Sequence, residues 1–443
     1  MNPEEKSLLH NALRSAVGRS GFWRDHLAAL GIQEPDITEG FPFDQIPLVS
    51  KADLLADQAA SPPFGTLLAV PPSDVRRIHR TSGTTATPFF IALTERDIAD
   101  TYHASERAFR QAGMGPGDRV VHCLNFNMWS GGITDYLPIE RLNATGIPFG
   151  VGNTSLLLSL LRRLNVNAIS STPSYMFTLA ERCRDELNID PRDLGLRKGF
   201  FGGEGLLQVP GVRDRIESIF AMKAYDSNYG MSEVLSVIAG EGEDRDGLIN
   251  HTHGILLTEL VDSQGRSLPI EPGATGELVF STLKREAQPL FRYRTCDIAE
   301  VLWREIGEDG LLRMRFHIRG RSDQMMVVKG VNFFPQSLMS VVAEFSDIGA
   351  AYCILRPPTG TVDHVDVVME TSVAEPERST LAAAVERRAS ALLQVRFRVR
   401  WVPPGFLERS DNKARYLIDS PDSIPGLSAL LGPTPAAENG GRC

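Results

Sequence analysis

Between Thr94 and Gly203 the sequence switches repeatedly between segments of helical period and short apolar runs of strand length, and that alternation admits few architectures. Residues 94–112, TERDIADTYHASERAFRQA, read as an amphipathic helix with Thr94 as its N-cap, followed by the turn GMGPGD and the strand RVVHCLNF. A helix around Ser155–Leu164, the strand VNAIS, a helix near 173–185 and the strand KGFFGG repeat the pattern. Apolar strands separated by helices pair in parallel through helical crossovers, so the expected class is α/β with a parallel-sheet layer. GMGPGD lacks GxGxxG spacing and follows a helix rather than a first strand, which argues against a dinucleotide-binding dehydrogenase.

The flanks differ in character. The first 60 residues combine the helical pattern SLLHNALRSAV with the Pro-rich stretch FPFDQIPLVSKADLLAD, in which Ser50 is placed to cap a helix from Lys51. This region reads as a wrap around the main body. From about residue 247, GILLTELVD, GELVFST and DIAEVLW, set between Gly, Pro and Asp turns, predict antiparallel strands or a small barrel-like portion added to the first layer. The charged, Gly-containing HIRGRSDQ at 317–324 marks a boundary. Beyond it, HVDVVMET, LAAAVERRASALL and RFRVRWV make a small α+β domain. The expected organisation is a large domain over 1–319, a small one over 320–420 and a Pro/Gly/Ala-rich flexible tail over 421–443.

Composition removes several classes of function. The 46 Lys and Arg against 55 Asp and Glu leave a net charge of -9, which offers a nucleic-acid backbone no long-range attraction. Five cysteines without CxxC spacing indicate neither a disulfide scaffold nor a thiolate zinc site, and fit a reducing cytoplasm. No apolar run reaches the roughly 20 residues that span a bilayer, and the opening MNPEEKSLLH is acidic where a signal peptide is basic. A soluble cytoplasmic protein without membrane partners is expected.

Five segments carry residues suited to chemistry. In HRTSGTTATPFF, residues 79–90, Thr81, Ser82, Thr84 and Thr85 surround Gly83, so backbone N–H groups and hydroxyls can curl around phosphate oxygens. The same segment reads equally as a solvent-exposed Ser/Thr turn, and it has no Walker lysine. In SNYGMSEV, residues 227–234, Tyr229 can stack on a planar ring and Glu233 can hold a divalent cation whose other ligands are phosphate oxygens. A buried tyrosine and a helix-start glutamate explain it as well. Asp297 follows Arg292 and Arg294 at a strand entrance, where a carboxylate can grip two ribose hydroxyls and an arginine can face phosphate, or the residues can form an ion pair. GRSDQMMVVKG, residues 320–330, sets Arg321, Asp323 and Lys329 at the suspected boundary, in a hinge or a charged linker. Lys413 stands in the polar SDNKARYLID, where a lone lysine is ordinarily solvated.

In this order and spacing, the five segments resemble the adenylate-forming enzymes, and within them the phenylacetate-CoA ligase-like branch, from PFDQIPLVSKADLL to KARYLID. TSGTTATP is similar to the family's phosphate loop, FGGEG to its adenine-side segment and YGMSE to its tyrosine-to-glutamate segment. The resemblance implies a two-step reaction: a carboxylate and ATP give acyl-adenylate and pyrophosphate, then a nucleophile, commonly the thiol of CoA, displaces AMP. It assigns the triphosphate to 81–88, the adenine side to Gly202, Gly203 and Glu204, and adenine stacking to Tyr229 beside Gly230. Mg²⁺ falls to Glu233, the ribose hydroxyls to Asp297, ribose or phosphate contact to Arg321 and a domain hinge to Asp323. Lys413 matches the lysine that approaches the carboxylate and α-phosphate. Bringing two anions together calls for such positive charge, and no general base is needed because a carboxylate with a pKa of about 4 is already ionised.

The match has departures. Where the family commonly reads GTTGKP this chain has GTTATP, so the loop lysine is missing, and Asn412 stands where a glycine commonly precedes the late lysine. The insert holding structural zinc in some relatives has no cysteine here, and His251 and His253 alone predict no metal. For the acid, NFNMWSGGITDY at 125–136 corresponds to the region that often lines the acyl pocket, and Trp129, Tyr136 and Phe201 can form a flat slot for an aromatic carboxylate, phenylacetate or a hydroxy- or aminobenzoate. Burial alone also accounts for each aromatic. Other acceptors, a carrier-protein thiol, an amine or a hydroxyl, remain open, as does a non-catalytic adenylate binder. The branch is usually homodimeric.

Overall fold

In a computed structural model the described residues are 3–38, 40–81, 88–328, 331–349, 351–356, 364–407 and 417–431. They fall into two compact units, one of 1–208 with 216–322, the other of 209–215 with 323–443. The division lies beyond the predicted residue 319 because the strand Leu312–Arg321 stays paired to Tyr293–Ile306 through Ile298 opposite Gly320 and Asp297 opposite Arg321.

Within the first unit, twelve strands of the described residues form one hydrogen-bonded array. Its parallel half runs, in spatial order, Thr145–Pro148, Arg119–His122, Ala168–Ser171, Lys198–Gly202 and Lys223–Met231. The antiparallel half continues from Leu235–Glu241 through Leu248–Asn250, Leu312–Arg321, Tyr293–Ile306, Thr275–Thr282 and Leu256–Val261 to Ser267–Leu268. Of the two forms expected after residue 247, the structure adopts antiparallel strands that extend the sheet. Lys223–Met231 pairs in parallel on one side and antiparallel on the other, so the tyrosine segment ends where the two halves meet.

Local chemistry explains the elements. Thr94 caps Glu95–Gln111 through a reciprocal box: its Oγ1 accepts the Asp97 N–H at 3.2 Å, and the Asp97 carboxylate accepts the Thr94 N–H at 3.0 Å. Asp97, Thr101, Ala104, Ser105 and Ala108 recur at the spacing of one helical face, and that face is buried. Phe109 at its end meets Phe200 of the sheet edge-on at 6.2 Å. Ser50 caps Lys51–Ala60 in the same way, with Asp53 completing the box. The wrap is anchored by Trp23, fully buried, whose indole N–H donates to the Pro289 carbonyl at 2.8 Å.

The second unit carries a sheet in the order Phe397–Val402, Val365–Glu370, Tyr352–Leu355, Leu417–Ile418, with the helix Glu377–Leu393 packed on the first of these strands. The expected tail needs correction over its first half. Leu427, in the short helix Leu427–Leu431, is fully buried with Cys353, Val368, Val402 and Ile418, and Ile424 packs on the same cluster, so this stretch is anchored to the domain's core by those two side chains. Among the described residues no helix is long and apolar enough to cross a membrane.

Candidate active site

The Ser/Thr-rich segment connects two strands of a hairpin, Arg77–Arg80 and Phe90–Leu93. Ser82, Gly83, Thr84 and Thr85 lie outside the described residues, but the stem that presents them is defined. Thr81 is buried; its N–H donates to the Phe89 carbonyl at 3.0 Å and its Oγ1 accepts the Phe89 N–H at 3.2 Å. Gln58 fixes the returning strand, donating to the Pro88 carbonyl at 2.9 Å and accepting from Phe90 N–H at 2.6 Å. The described residues flanking the segment, Thr81 and 88–90, are therefore held by hydrogen bonds on both sides.

Gly202, Gly203 and Glu204 follow at the carboxyl end of the parallel strand Lys198–Gly202, the end where ligands bind in open α/β sheets. A Cβ on Gly202 would stand 2.8 Å from Asn228 Cβ, and Gly203 has a φ of 81°. Both positions thus require glycine, one for close approach and one for backbone conformation. Glu204 accepts from Ser174, from its N–H at 3.2 Å and from its Oγ at 2.9 Å, at the start of the helix Pro173–Leu187.

Tyr229, Asp297 and Arg321 converge from three strands. The Tyr229 hydroxyl donates to Asp297 Oδ2 at 2.8 Å, and Arg321 Nη1 donates to Asp297 Oδ1 at 3.1 Å. Burial, and after it the neighbouring Asp297 charge, pushes the Tyr229 hydroxyl well above its ordinary range, so it stays a donor. Asp297 lies inside the strand Tyr293–Ile306 rather than at its entrance. The arginines that precede it in sequence, one of them expected to face phosphate or to pair with Asp297, are held by other groups. Arg292 donates to the carbonyls of Asp44 at 2.7 Å and Ile46 at 2.8 Å, and Arg294 grips Glu277 with bonds of 3.1 and 2.6 Å.

Glu233 occupies the turn between Lys223–Met231 and Leu235–Glu241, not a helix start. Its carboxylate is 8 % exposed and lies 3.1 Å from the Lys51 ammonium. Ser232 beside it shares a 2.6 Å hydrogen bond with Ser130, at the head of the helix Ser130–Arg141. Gly230 lets the two strands of this turn meet: an added Cβ would come within 2.1 Å of the Ser236 carbonyl oxygen. Gly230→Ala is expected to destabilise the fold by about 3 kcal/mol, read from the shift of the urea unfolding curve, because the obstacle is backbone and cannot swing aside. A midpoint unchanged from wild type would show that the strands can part there at no cost.

Of the three aromatics assigned to an acyl slot, Trp129 is placed against the glycines. Its indole is 2.9 Å from where a Cβ on Gly131 would stand and 3.5 Å from where one on Gly203 would stand. Tyr136 lies farther along the same helix, donating to Glu140 at 2.8 Å, with its ring beside Phe126 and His122. Phe201 is 1 % exposed with its ring over Gly199, a core residue of the sheet.

Asp135 was invisible in sequence. It is 2 % exposed, and both its oxygens accept from Asn228 Nδ2, at 2.8 and 2.7 Å. Burial raises its pKa from 3.8 to about 7, outweighing the bonds from Asn228 and Thr134. Between about pH 4 and pH 7 the native state holds a proton that the unfolded chain has released, so this group's contribution to stability falls as pH rises through that window. Wild type is expected to lose stability relative to Asp135→Asn as pH rises through that interval, measured by urea unfolding; parallel curves would show that Asp135 titrates normally. Arg285 was equally hidden within LKREAQ. Its side chain is 5 % exposed, donates from Nη1 to the Val234 carbonyl at 3.0 Å and stands 3.8 Å from Asp97, which places a buried cation next to the Glu233 turn. Nothing in the local pattern separates it from a surface arginine.

Asp323 opens the longer segment of the second unit, and Lys413 lies outside the described residues.

Known proteins share this plan. Residues 33–283 match the family described as AMP-binding enzyme, and residues 330–420 match the AMP-binding enzyme C-terminal domain. The chain is 32 % identical over 417 residues to a phenylacetate-coenzyme A ligase of Pseudomonas putida, covering 92 % of this chain and 91 % of that one. It is also 32 % identical over 420 residues to the Escherichia coli K12 phenylacetate-coenzyme A ligase, covering 92 % of each. Among solved structures it is similar to a 2-hydroxyisobutyryl-CoA ligase in the postadenylation state with an acyl-AMP, at a TM-score of 0.84 and 29 % identity over 96 % of this chain and 91 % of that one.

Proposed function

The chain belongs to the AMP-binding enzyme family, in its phenylacetate-CoA ligase-like branch, and from that premise we propose that it activates an aromatic carboxylic acid with ATP and passes the acyl group to CoA. The observation that carries the reading is the junction of Tyr229, Asp297 and Arg321 at the edge of the parallel half-sheet. A carboxylate held by a phenol and a guanidinium keeps lone pairs to accept two vicinal ribose hydroxyls, and Tyr229 offers a fixed ring for adenine. In the first half-reaction the acid's oxygen attacks the α-phosphorus, forming the acyl-phosphate bond as the bond to pyrophosphate breaks. In the second, the CoA thiolate attacks the acyl carbon and AMP leaves.

The hydroxyls and N–H groups of 81–88 grip the triphosphate, and Lys413 offsets the charge that accumulates between carboxylate and α-phosphate. Glu233 would hold Mg²⁺ delivered with ATP, as a single hard carboxylate whose ligation the phosphate oxygens would complete. The ion, when bound, neutralises phosphate charge. Lys51 beside Glu233 supplies a second cation on that side, in a chain whose loop lacks its lysine. Gly202 and Gly203 leave room on the adenine side, with Glu204 fixing their turn to the helix Pro173–Leu187. Trp129 forms a flat wall for the aromatic acid, and Asp323 is the hinge.

The test is pyrophosphate release from ATP and Mg²⁺ across aryl, arylacetic and aliphatic acids, with and without CoA, with mass detection of the product. Release that depends on an aromatic acid, with an acyl-CoA mass, is the expected result. Adenylation without transfer to CoA would move the acceptor to a carrier thiol, an amine or a hydroxyl.

A further inference from the structure

Resting on that reading, we propose that Asp135 and Asn228 form a polar subsite selecting an aromatic acid that carries an amino group. The helix Ser130–Arg141 and the ends of two parallel strands face one another here. Gly131 and Asp135 are one turn apart on the same side of the helix. The Trp129 indole covers Gly131 and reaches toward Gly203, and Asn228 lies against Gly202. Asp135 therefore stands one helical turn below the indole, on the side of the helix that meets the two consecutive glycines.

Two features of the pair are unusual for mere packing. Asp135 is 2 % exposed and its oxygens accept only Asn228 Nδ2 and a long 3.5 Å contact from Thr134 Oγ1, with no cation against it among the described residues. Asn228 Oδ1 is buried with no donor among the described residues. Turning the amide over would set its oxygen against the carboxylate, so the orphan acceptor belongs to the arrangement. A buried amide oxygen without a donor thus stands beside a buried carboxylate whose close donor is a single amide nitrogen.

The ligand group that satisfies both carries at least two N–H bonds. An amino or ammonium substituent does so, donating once to each acceptor. A hydroxyl has a single hydrogen and serves only one of them, and an unsubstituted ring or an alkyl group serves neither. A pocket built around hydrogen bonds discriminates far more strongly than one built on apolar fit, because the wrong ligand leaves the acceptors buried and unpaired.

The experiment compares aminobenzoates and aminophenylacetates with their hydroxy and unsubstituted counterparts, in wild type, Asp135→Asn and Asn228→Leu. Two readouts are taken: acid-dependent pyrophosphate release, and direct calorimetric binding of each acid. Wild type is expected to prefer the best amino acid substrate over its unsubstituted counterpart by about 100-fold or more in kcat/KM, and both variants to bring that ratio close to one. Thermal unfolding identifies a variant that has lost its fold, and the other variant then carries the comparison. Turnover without preference for amino over unsubstituted acids overturns the subsite and leaves the ligase reading standing. Preferential binding of amino-bearing acids without pyrophosphate release keeps the subsite and overturns the ligase reading. An equal loss for every acid in both variants makes the pair a packing device and overturns the proposal.

Discussion

Replacing Asp297 by alanine is expected to raise the dissociation constant for ATP about 100-fold, or about 3 kcal/mol, with little change in thermal stability of the first unit. The effect has two sources. The carboxylate is removed from the ribose hydroxyls, and Tyr229 and Arg321, which both donate to it, lose the acceptor that orients them. Calorimetric titration of ATP separates these: Tyr229→Phe removes one donor to Asp297 and leaves the carboxylate in place, so its loss is expected to be about tenfold. Unchanged ATP affinity in Asp297→Ala would remove the ribose role and leave the junction as an internal tie between strands.

For Lys413→Ala the expected result is a 100- to 1000-fold slower formation of acyl-AMP (roughly the effect of deleting one charged group that stabilises a transition state). ATP binding and transfer from supplied acyl-AMP to CoA are expected to change much less, because the lysine acts where carboxylate and α-phosphate meet. Rapid-quench measurement of the two half-reactions reads them separately. Equal loss of both would point to a damaged fold, and normal adenylation would sink the assignment.

Much of the architecture was written in local pattern. The cap boxes at Thr94 and Ser50 are sequence-adjacent events, with donor and acceptor three residues apart, so the residue types alone announce them. The strands Arg119–His122, Ala168–Ser171 and Lys198–Gly202 are apolar runs between helical segments, and parallel pairing follows from the crossovers. Gly320 and Arg321 look like linker, yet a strand partner holds them in the first unit. The tail misled for a similar reason. Its composition is that of a loose end, but Leu427 packs among Cys353, Val368 and Val402, a contact that no local rule foretells.

The site divides the same way. The residue types and order of TSGTTATP, FGGEG, YGMSE and Asp297 were set by the sequence alone, because phosphate loops, tight strand approaches and ribose-gripping carboxylates each demand particular side chains at particular offsets. Which partners those groups meet was decided only by tertiary structure. Asp297 takes Arg321, 24 residues later, rather than Arg294 or Arg292 just before it in the sequence, because strand pleating turns neighbouring side chains apart while register brings distant ones together. Lys51 reaches Glu233, and Asp135 reaches Asn228 across 93 residues, because their helices pack against the ends of the sheet. Spacing along the chain encodes periodicity and caps, whereas burial and charge pairing depend on which surfaces the packed sheet brings face to face, and no local pattern carries that information.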